Sequence, residues 1–234
     1  VSKERIQVEL NKLLTSPHPD YFRLLYETGM TKVVLPEFDR LMELPQRNPF
    51  HRYTVGEHTL KAVEAAPPRL IPRLTMLLHD VGKGWTGTTD EQGCDHFYGH
   101  AQASRQWAEG FLRGLKYDNH TIQKVCLLIG WHDYALHADK KAIRRLMNKV
   151  GQENFPDLLD VFEADTLAKS DYAISLIMPE LDKIRRLTAE ILKEEECVSL
   201  SDLAVKGSDL IAAGMRPGPQ LGKELQRLLE LVLE

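Results

Sequence analysis

The chain has 234 residues, of which 43% are apolar and 27% charged, the balance of a folded globular protein and not of a disordered one. Lys plus Arg number 30 and Asp plus Glu 34, a formal charge of −4 that excludes a globally basic nucleic-acid binder while leaving room for a local basic groove. Three widely spaced cysteines, Cys94, Cys126 and Cys197, argue against a disulfide framework or a cysteine zinc site, and no apolar run approaches ~18 residues, so a soluble cytoplasmic chain with no membrane span is expected.

Helical periodicity runs through almost the whole chain. Residues 2–15 place Ile6, Leu10, Leu13 and Leu14 on one face before Pro17 and Pro19. A short helix over 19–28 ends at Gly29. The Leu35-Pro36-Glu37 stretch and residues 45–49 read as loops, and 32–35 is the one segment with strand character. Thr54 followed by Glu57 is a capping-box signal for a helix whose stripe is Val55, His58, Ala62 and Ala66, ended by Pro67 and Pro68. Leu70, Ile71, Leu74, Leu77 and Leu78 mark a helix running into the doublet His79-Asp80. Residues 82–95, rich in Gly, Thr and Asp, read as an exposed loop.

The next helix aligns His100, Ala103, Trp107 and Phe111. Another carries Ile122, Val125, Cys126 and Ile129, with His132 on the same stripe. Ile143, Leu146, Met147 and Val150 precede Gly151. After Pro156, the stripe of Leu158, Val161 and Phe162 reaches Asp165. Leu181, Ile184, Leu187 and Ile191 lead into the acidic run Glu194-Glu195-Glu196; a Ser208-capped helix, a turn over 214–219 and a last helix with Leu221, Leu225, Leu228 and Val232 complete the chain. The expected class is all-α. The expected organisation is an N-terminal helical region (1–50), a His-rich helical domain (51–178) and a C-terminal tail (179–234).

Eight of the nine histidines fall between residues 51 and 137. His58 sits on an apolar face, His79-Asp80 ends an apolar helix, and Asp165 is a carboxylate where an apolar residue is expected. A carboxylate on a buried stripe needs a partner, a hydrogen bond or a metal. Two imidazoles and two carboxylates from three helices form a mixed N/O set suited to Mn, Fe, Co, Ni or Mg. His100 and His132, with Asp133 after the latter, either complete a second metal site bridged by Asp80 or contact a substrate phosphate. Lys83 reads either as a charge for phosphate oxygens or as a solvated loop lysine. His96, His120 and His137 read as surface residues; His51 and Tyr53 read as packing at a helix entrance or as rim. Arg69, Arg73, Arg105, Arg113, Lys140, Lys141, Arg144 and Arg145 are either phosphate contacts or solvated helix faces.

His58, then His79-Asp80-Val81-Gly82-Lys83, then Asp165 resembles the pattern of the HD-superfamily metal-dependent phosphohydrolases. The resemblance implies an HD helical bundle with extra N- and C-terminal helices, and ligation of one or two divalent metals by His58, His79, Asp80 and Asp165. His100 and His132 match further histidines found in members of that superfamily with two metals; the candidate catalytic residues are Asp80, Lys83, His100 and His132, and the possible second metal set is His100, His132 and Asp133. A wider likeness rests on Tyr53 through Leu60, Phe97-Tyr98-Gly99-His100, Asp202 through Gly207 and the stretch from Gly214 to Gly222. These look like the bacterial tRNA nucleotidyltransferase/poly(A) polymerase family, in which an HD region follows a nucleotidyltransferase head and an RNA-binding neck; 1–50 resembles that neck.

Nucleotidyl transfer in that family needs a Gly-Ser turn followed by an Asp-x-Asp pair. No Asp-x-Asp occurs here, so this chain by itself is not expected to add nucleotides. The resemblance implies hydrolysis of a phosphoester in a nucleotide or an RNA 3′ end. The alternative is a non-catalytic helical body that holds tRNA in a split or truncated nucleotide-adding enzyme. A metal site that only ties helices together is a third reading.

Overall fold

The computed structural model describes residues 2–193 and 200–232, and these are all-α apart from one two-stranded hairpin. The acidic run Glu194–Glu196 and Cys197 lie outside the described residues. No helix among the described residues is long and apolar enough to cross a membrane. Two compact units are present: Val1–Tyr134 with Pro156–Pro179, and Ala135–Phe155 with Glu180–Glu234.

In the first unit, α1 (Lys3–Thr15) buries Leu10 and Leu14 and is capped by Ser2, whose hydroxyl accepts from the Arg5 N–H at 3.4 Å. A 3-10 turn over Pro19–Tyr21 leads into α2 (Phe22–Glu27). The expected strand character at 32–35 and loop at 35–37 give way to two helices, α3 (Thr31–Val34) and α4 (Pro36–Glu43). Pro36 is the first residue of α4, where its missing N–H costs nothing and its fixed φ suits the helix; Leu35 before it, at φ −153° and ψ 70°, lies outside the helical region. Phe38 and Leu41 on α4 are buried, and the Thr31 hydroxyl donates to the Asp39 carboxylate, so α3 and α4 are tied together.

Helix α5 (Val55–Ala65) starts where the capping signal places it, with Thr54 Oγ1 accepting from Glu57 N at 3.2 Å. Only that half of the box forms, because the Glu57 carboxylate turns to Arg23 at 2.5 and 2.6 Å. Helix α6 (Leu70–Leu78) is buried from Pro72 onward and packs on α1, α5 and α9 (Asn119–Trp131). Each fully buried Leu or Met there contributes up to ~1.5–3 kcal/mol, which fixes this helix as the centre of the unit.

The expected exposed loop at 82–95 is instead a short helix, α7 (Lys83–Thr86), and a hairpin pairing β1 (Thr88–Thr89) with β2 (Asp95–His96). Lys83, Gly84 and Asp95 are buried, because tertiary partners outweigh the local polarity of the segment. Asp95 accepts from Arg47 N, Nε and Nη2 at 2.8, 3.0 and 2.9 Å, which ties the 45–49 loop to the hairpin. Helix α8 (His100–Gly114) packs on α9.

Arg69, Asp157 and Lys124 bind α11 (Phe155–Leu167) to the rest of the unit, with Asp157 accepting from Arg69 Nη1 at 2.5 Å and lying 2.7 Å from Lys124 Nζ. Burial alone would raise the Asp157 carboxyl, but Lys124 and Arg69 outweigh it and hold it below the ordinary range. A carboxylate with a depressed folded pKa stabilises above its unfolded value of ~3.9 and loses that contribution as pH falls through the folded value. Asp157→Asn is therefore expected to lower stability at pH 7 by ~1–2 kcal/mol, discounted for the half-exposed Arg69, with the gap to wild type closing below pH ~3.9. Urea unfolding at the two pH values measures it.

In the second unit, α10 (Lys140–Val150) is capped by Asp139 and buries Ile143, Leu146, Met147 and Val150. Helix α12 (Asp171–Lys193) continues into this unit past Pro179, and Lys140 Nζ lies 3.4 Å from Glu190. Helices α13 (Gly207–Ala212) and α14 (Pro219–Val232) pack together, and Leu203 and Leu229 form a small core with Leu225 and Leu228. The expected Ser208 cap is displaced: Lys206 is the N-cap residue, and its N–H donates to the Asp209 carboxylate at 2.7 Å.

Candidate metal centre

Five helices deliver side chains to one buried centre. His58 lies one turn into α5, His79 and Asp80 follow the last residue of α6, and Asp165 lies near the end of α11. His100 is the first residue of α8 and His132 follows the last of α9. All six are buried.

Glycine lets the turn between α6 and α7 approach α8 closely. A Cβ on Gly82 would strike the His100 carbonyl and lie 2.7 Å from the Ser104 nitrogen, while the Gly82 N–H donates to Ser104 Oγ at 2.8 Å. Gly99, with φ +76°, turns the chain immediately before His100 in a conformation that favours glycine.

Each of the four imidazoles has one nitrogen on a backbone carbonyl, which forces that nitrogen to be the donor. His58 Nδ1 donates to Ala168 O (3.1 Å), His79 Nδ1 to Met76 O (2.7 Å), His100 Nδ1 to Phe97 O (2.8 Å) and His132 Nδ1 to Ile129 O (2.7 Å). In the neutral ring every Nε2 is then a lone pair. His58 Nε2 lies 3.2 Å from His79 Nε2, and His100 Nε2 lies 3.1 Å from His132 Nε2.

The carboxylates face the same lone pairs. Asp165 Oδ1 is 3.0 Å from His58 Nε2 and 3.6 Å from His79 Nε2; Asp80 Oδ2 is 3.2 Å from His79 Nε2 and 3.5 Å from His58 Nε2. The other oxygen, Asp80 Oδ1, is 3.3 Å from His100 Nε2 and 3.6 Å from His132 Nε2. Neither Asp80 oxygen is buried with a hydrogen bond of good geometry.

This donor set fits a cation. Acceptor atoms crowded together need a proton or a metal among them, and ligands ~2.1 Å from a common centre are separated by about 3.0–3.4 Å. His58, His79 and Asp165 lie together as one group and His79, Asp80 and His132 as another, and the imidazole–carboxylate distances among His58, His79, Asp80 and Asp165 run from 3.0 to 3.6 Å, close to that spacing. His100, His132 and Asp80 Oδ1 form a second set, with Asp80 spanning both.

Lysines balance the charge. Lys83 Nζ lies 2.7 Å from Asp80 Oδ2 and donates to Gln46 Oε1 at 2.8 Å; it is buried, not a solvated loop residue. Lys169 Nζ lies 2.6 Å from Asp165 Oδ2. Burial would raise both carboxyls, yet His79 and Lys83 hold Asp80, and Lys169 and His58 hold Asp165, well below the usual range. Burial lowers His58 and His132, whereas at His79 the charges of Asp80 and Asp165 overcome burial and raise it to about 9.

Asp133 is not brought into either group. It is largely exposed, and its carboxylate stands 4.0 Å from the Nδ1 side of His100, which already faces a carbonyl. His51 stacks edge-on against His58 with centroids 5.2 Å apart, and its Nδ1 is buried without a partner; burial lowers it to about 3, so it is neutral. A cavity of about 430 Å³ lies beside the centre, lined in part by Pro49, Phe50, His51, His96, Asp133 and Lys169. Lys169 and Gln46 were missed by sequence reasoning. Lys169 was detectable, since it follows Asp165 by four residues, the spacing at which opposite charges pair.

Among the other sequence candidates, His120 and His137 are exposed, whereas His96 is half-buried and lies 2.7 Å from Asp90. Asp90 also accepts from Gln92 N and Cys94 N, so the Asp90, Cys94 and His96 grouping is accounted for by the hairpin turn. Two basic candidates for phosphate contact are structural. Arg69 holds Asp157 and Asp160, each at 2.5 Å, and Arg73 is buried on the carbonyls of Leu14, Ser16 and Ala66. Arg113 pairs with Glu109 at 2.9 Å.

Residues 88–234 match the family model described as tRNA nucleotidyltransferase domain 2, and residues 1–42 match that of the "Probable RNA and SrmB-binding site of polymerase A". The chain is 33% identical to a CC-adding tRNA nucleotidyltransferase of Thermus thermophilus over 100% of its own length. It is 28% identical to a Multifunctional CCA protein of Xanthomonas campestris over 95% of its length. In both cases it spans 53% of the relative, about half the length of the curated proteins it matches. With a domain model covering more than half of its residues, the chain belongs to the tRNA nucleotidyltransferase family.

Proposed function

We propose that this chain is a metal-dependent phosphohydrolase acting on a phosphoester of a nucleotide or an RNA 3′ end. The observation that carries the reading is the convergence of four imidazole Nε2 atoms, each ring's Nδ1 already on a backbone carbonyl, and two ionised carboxylates at a buried centre beside an open cavity. His58, His79, Asp80 and Asp165 would hold a divalent cation such as Mn, Ni, Co, Fe or Mg, which would supply Lewis acidity toward a phosphoryl oxygen and acidify water.

The chain's own residues do the rest. The four backbone carbonyls lock each ring and its tautomer, so the Nε2 atoms need no reorganisation to serve as ligands. His100 and His132 favour completing a second cation site over gripping a phosphate directly, because an Nε2 lone pair has no proton to offer a phosphate oxygen. Lys83 keeps Asp80 ionised and oriented from within the protein. Around the cavity, Phe50 packs on Tyr172 and Tyr98 stacks on His96, and Phe50, Tyr98 and Tyr172 are all exposed. Exposed rings at the mouth of a phosphate site suit the bases of a single-stranded end.

Protein stripped of metal and reloaded with Mn or Ni is expected to cleave bis(p-nitrophenyl) phosphate or a 2′,3′-cyclic nucleotide, and His79→Ala is not. Equal activity in that variant overturns the assignment.

A second reading, a helical body that binds tRNA without hydrolysing it, draws on the RNA-binding match over residues 1–42 and on the relatives named for addition to tRNA. Salt-dependent tRNA binding with no metal-dependent hydrolysis selects this reading.

A further inference from the structure

The two lysines at the centre are placed differently, and that difference bears on the substrate. Lys83 is enclosed: Asp80, Gln46 and the Phe97 ring, whose centroid is 5.4 Å from Nζ, surround its ammonium. Lys169 lines the cavity with a side chain 16% exposed, and it touches the metal-ligand carboxylate Asp165 through Oδ2, the oxygen turned away from His58. One N–H of an ammonium on Asp165 leaves two further donors for the cavity.

His51 completes the same wall. Its ring backs onto His58, it lines the cavity, and its Nδ1 is buried without a partner. A buried polar atom left unpaired is costly, so a ligand that supplies its hydrogen bond is favoured there. The cavity volume of about 430 Å³ is that of a small-ligand site. With cations bound, the Nε2 nitrogens of His58, His79, His100 and His132 are used as ligands and not as donors, so an anion entering the cavity must find its N–H groups elsewhere.

Resting on the hydrolase reading, we propose that Lys169, with His51 beside it, receives the phosphoryl oxygens of the substrate and sets them against the metal centre. Lys169 thereby makes the site selective for a phosphate-bearing end over a neutral one.

Inorganic phosphate and Mn2+ are the probes. Phosphorus relaxation of phosphate by bound Mn2+ reports phosphate affinity, and calorimetry reports Mn2+ affinity separately. Lys169→Gln is expected to keep Mn2+ binding and to weaken phosphate by at least ~10-fold, equivalent to ~1.4 kcal/mol. Unchanged phosphate affinity with Mn2+ binding intact overturns the role of Lys169 alone. Loss of Mn2+ binding in a folded Lys169→Gln chain also overturns it, since Lys169 then serves only to hold Asp165. Failure of wild type to bind Mn2+ defeats the hydrolase reading and this inference together. A measurement on wild type avoids any folding defect of the variant: saturating phosphate is expected to protect Lys169 from acetylation in the Mn2+-loaded protein, read by mass spectrometry. No protection overturns the proposal.

Discussion

Asp80→Asn is expected to abolish metal-dependent hydrolysis and to weaken Mn2+ binding by more than ~100-fold, beyond the ~10–100-fold typical of losing an outer-shell partner. Among the described residues, Asp80 is the one side chain that reaches both imidazole pairs, Oδ2 toward His58 and His79 and Oδ1 toward His100 and His132. Asparagine keeps the shape but loses the negative charge and turns one acceptor into a donor aimed at lone pairs. It also leaves the buried Lys83 ammonium with Gln46 as its remaining neighbour of that pair, and an uncompensated buried charge costs about 3–5 kcal/mol. The double variant Asp80→Asn/Lys83→Gln separates the two effects. It is expected to recover stability in thermal melts while Mn2+ binding, by calorimetry, stays lost. Wild-type Mn2+ affinity in either variant removes Asp80 from the centre.

How far the sequence was legible follows from where each signal resides. The long helices with apolar stripes, α1, α5, α6, α8, α9 and α11, were readable because one face of each is buried in the unit. The same phase put His58, His132 and Asp165 on inward faces, and all three are buried, so these members of the candidate site could be named before any coordinates. Short elements were not readable. Residues 31–43 carry Val33, Val34 and Pro36, which locally suggest strand and turn, and tertiary burial of Phe38 and Leu41 decides for helix. Residues 82–95 are polar enough to suggest solvent, and their order comes from Arg47, 48 residues from Asp95 in sequence. Asp133 illustrates the limit of adjacency: one residue beyond His132 places its carboxylate on the opposite side of the His100 ring from the Nε2 cluster. Gln46 and His51 reach the centre from a loop with no period to follow.

Gly82→Ala is expected to be the most damaging substitution that touches no ligand. The added methyl meets backbone, the His100 carbonyl and the Ser104 nitrogen, rather than the end of a flexible side chain, so relief requires α8 to move as a body. Overpacking of this kind costs about 1–3 kcal/mol and more where backbone must shift. Moving α8 also breaks the hydrogen bond from Gly82 N to Ser104 Oγ and carries His100 away from Asp80 and His132. The consequence is selective: the three atoms nearest the added methyl, from His100, Ala103 and Ser104, all belong to α8, whereas His58 and Asp165 come from α5 and α11 and His79 follows α6. A folded Gly82→Ala chain should therefore lose the second cation while keeping the first, seen as a fall from two Mn2+ equivalents to one in calorimetry alongside a lowered melting temperature. Two equivalents bound as in wild type would mean that the close approach of α8 to the His-Asp doublet is not what places His100.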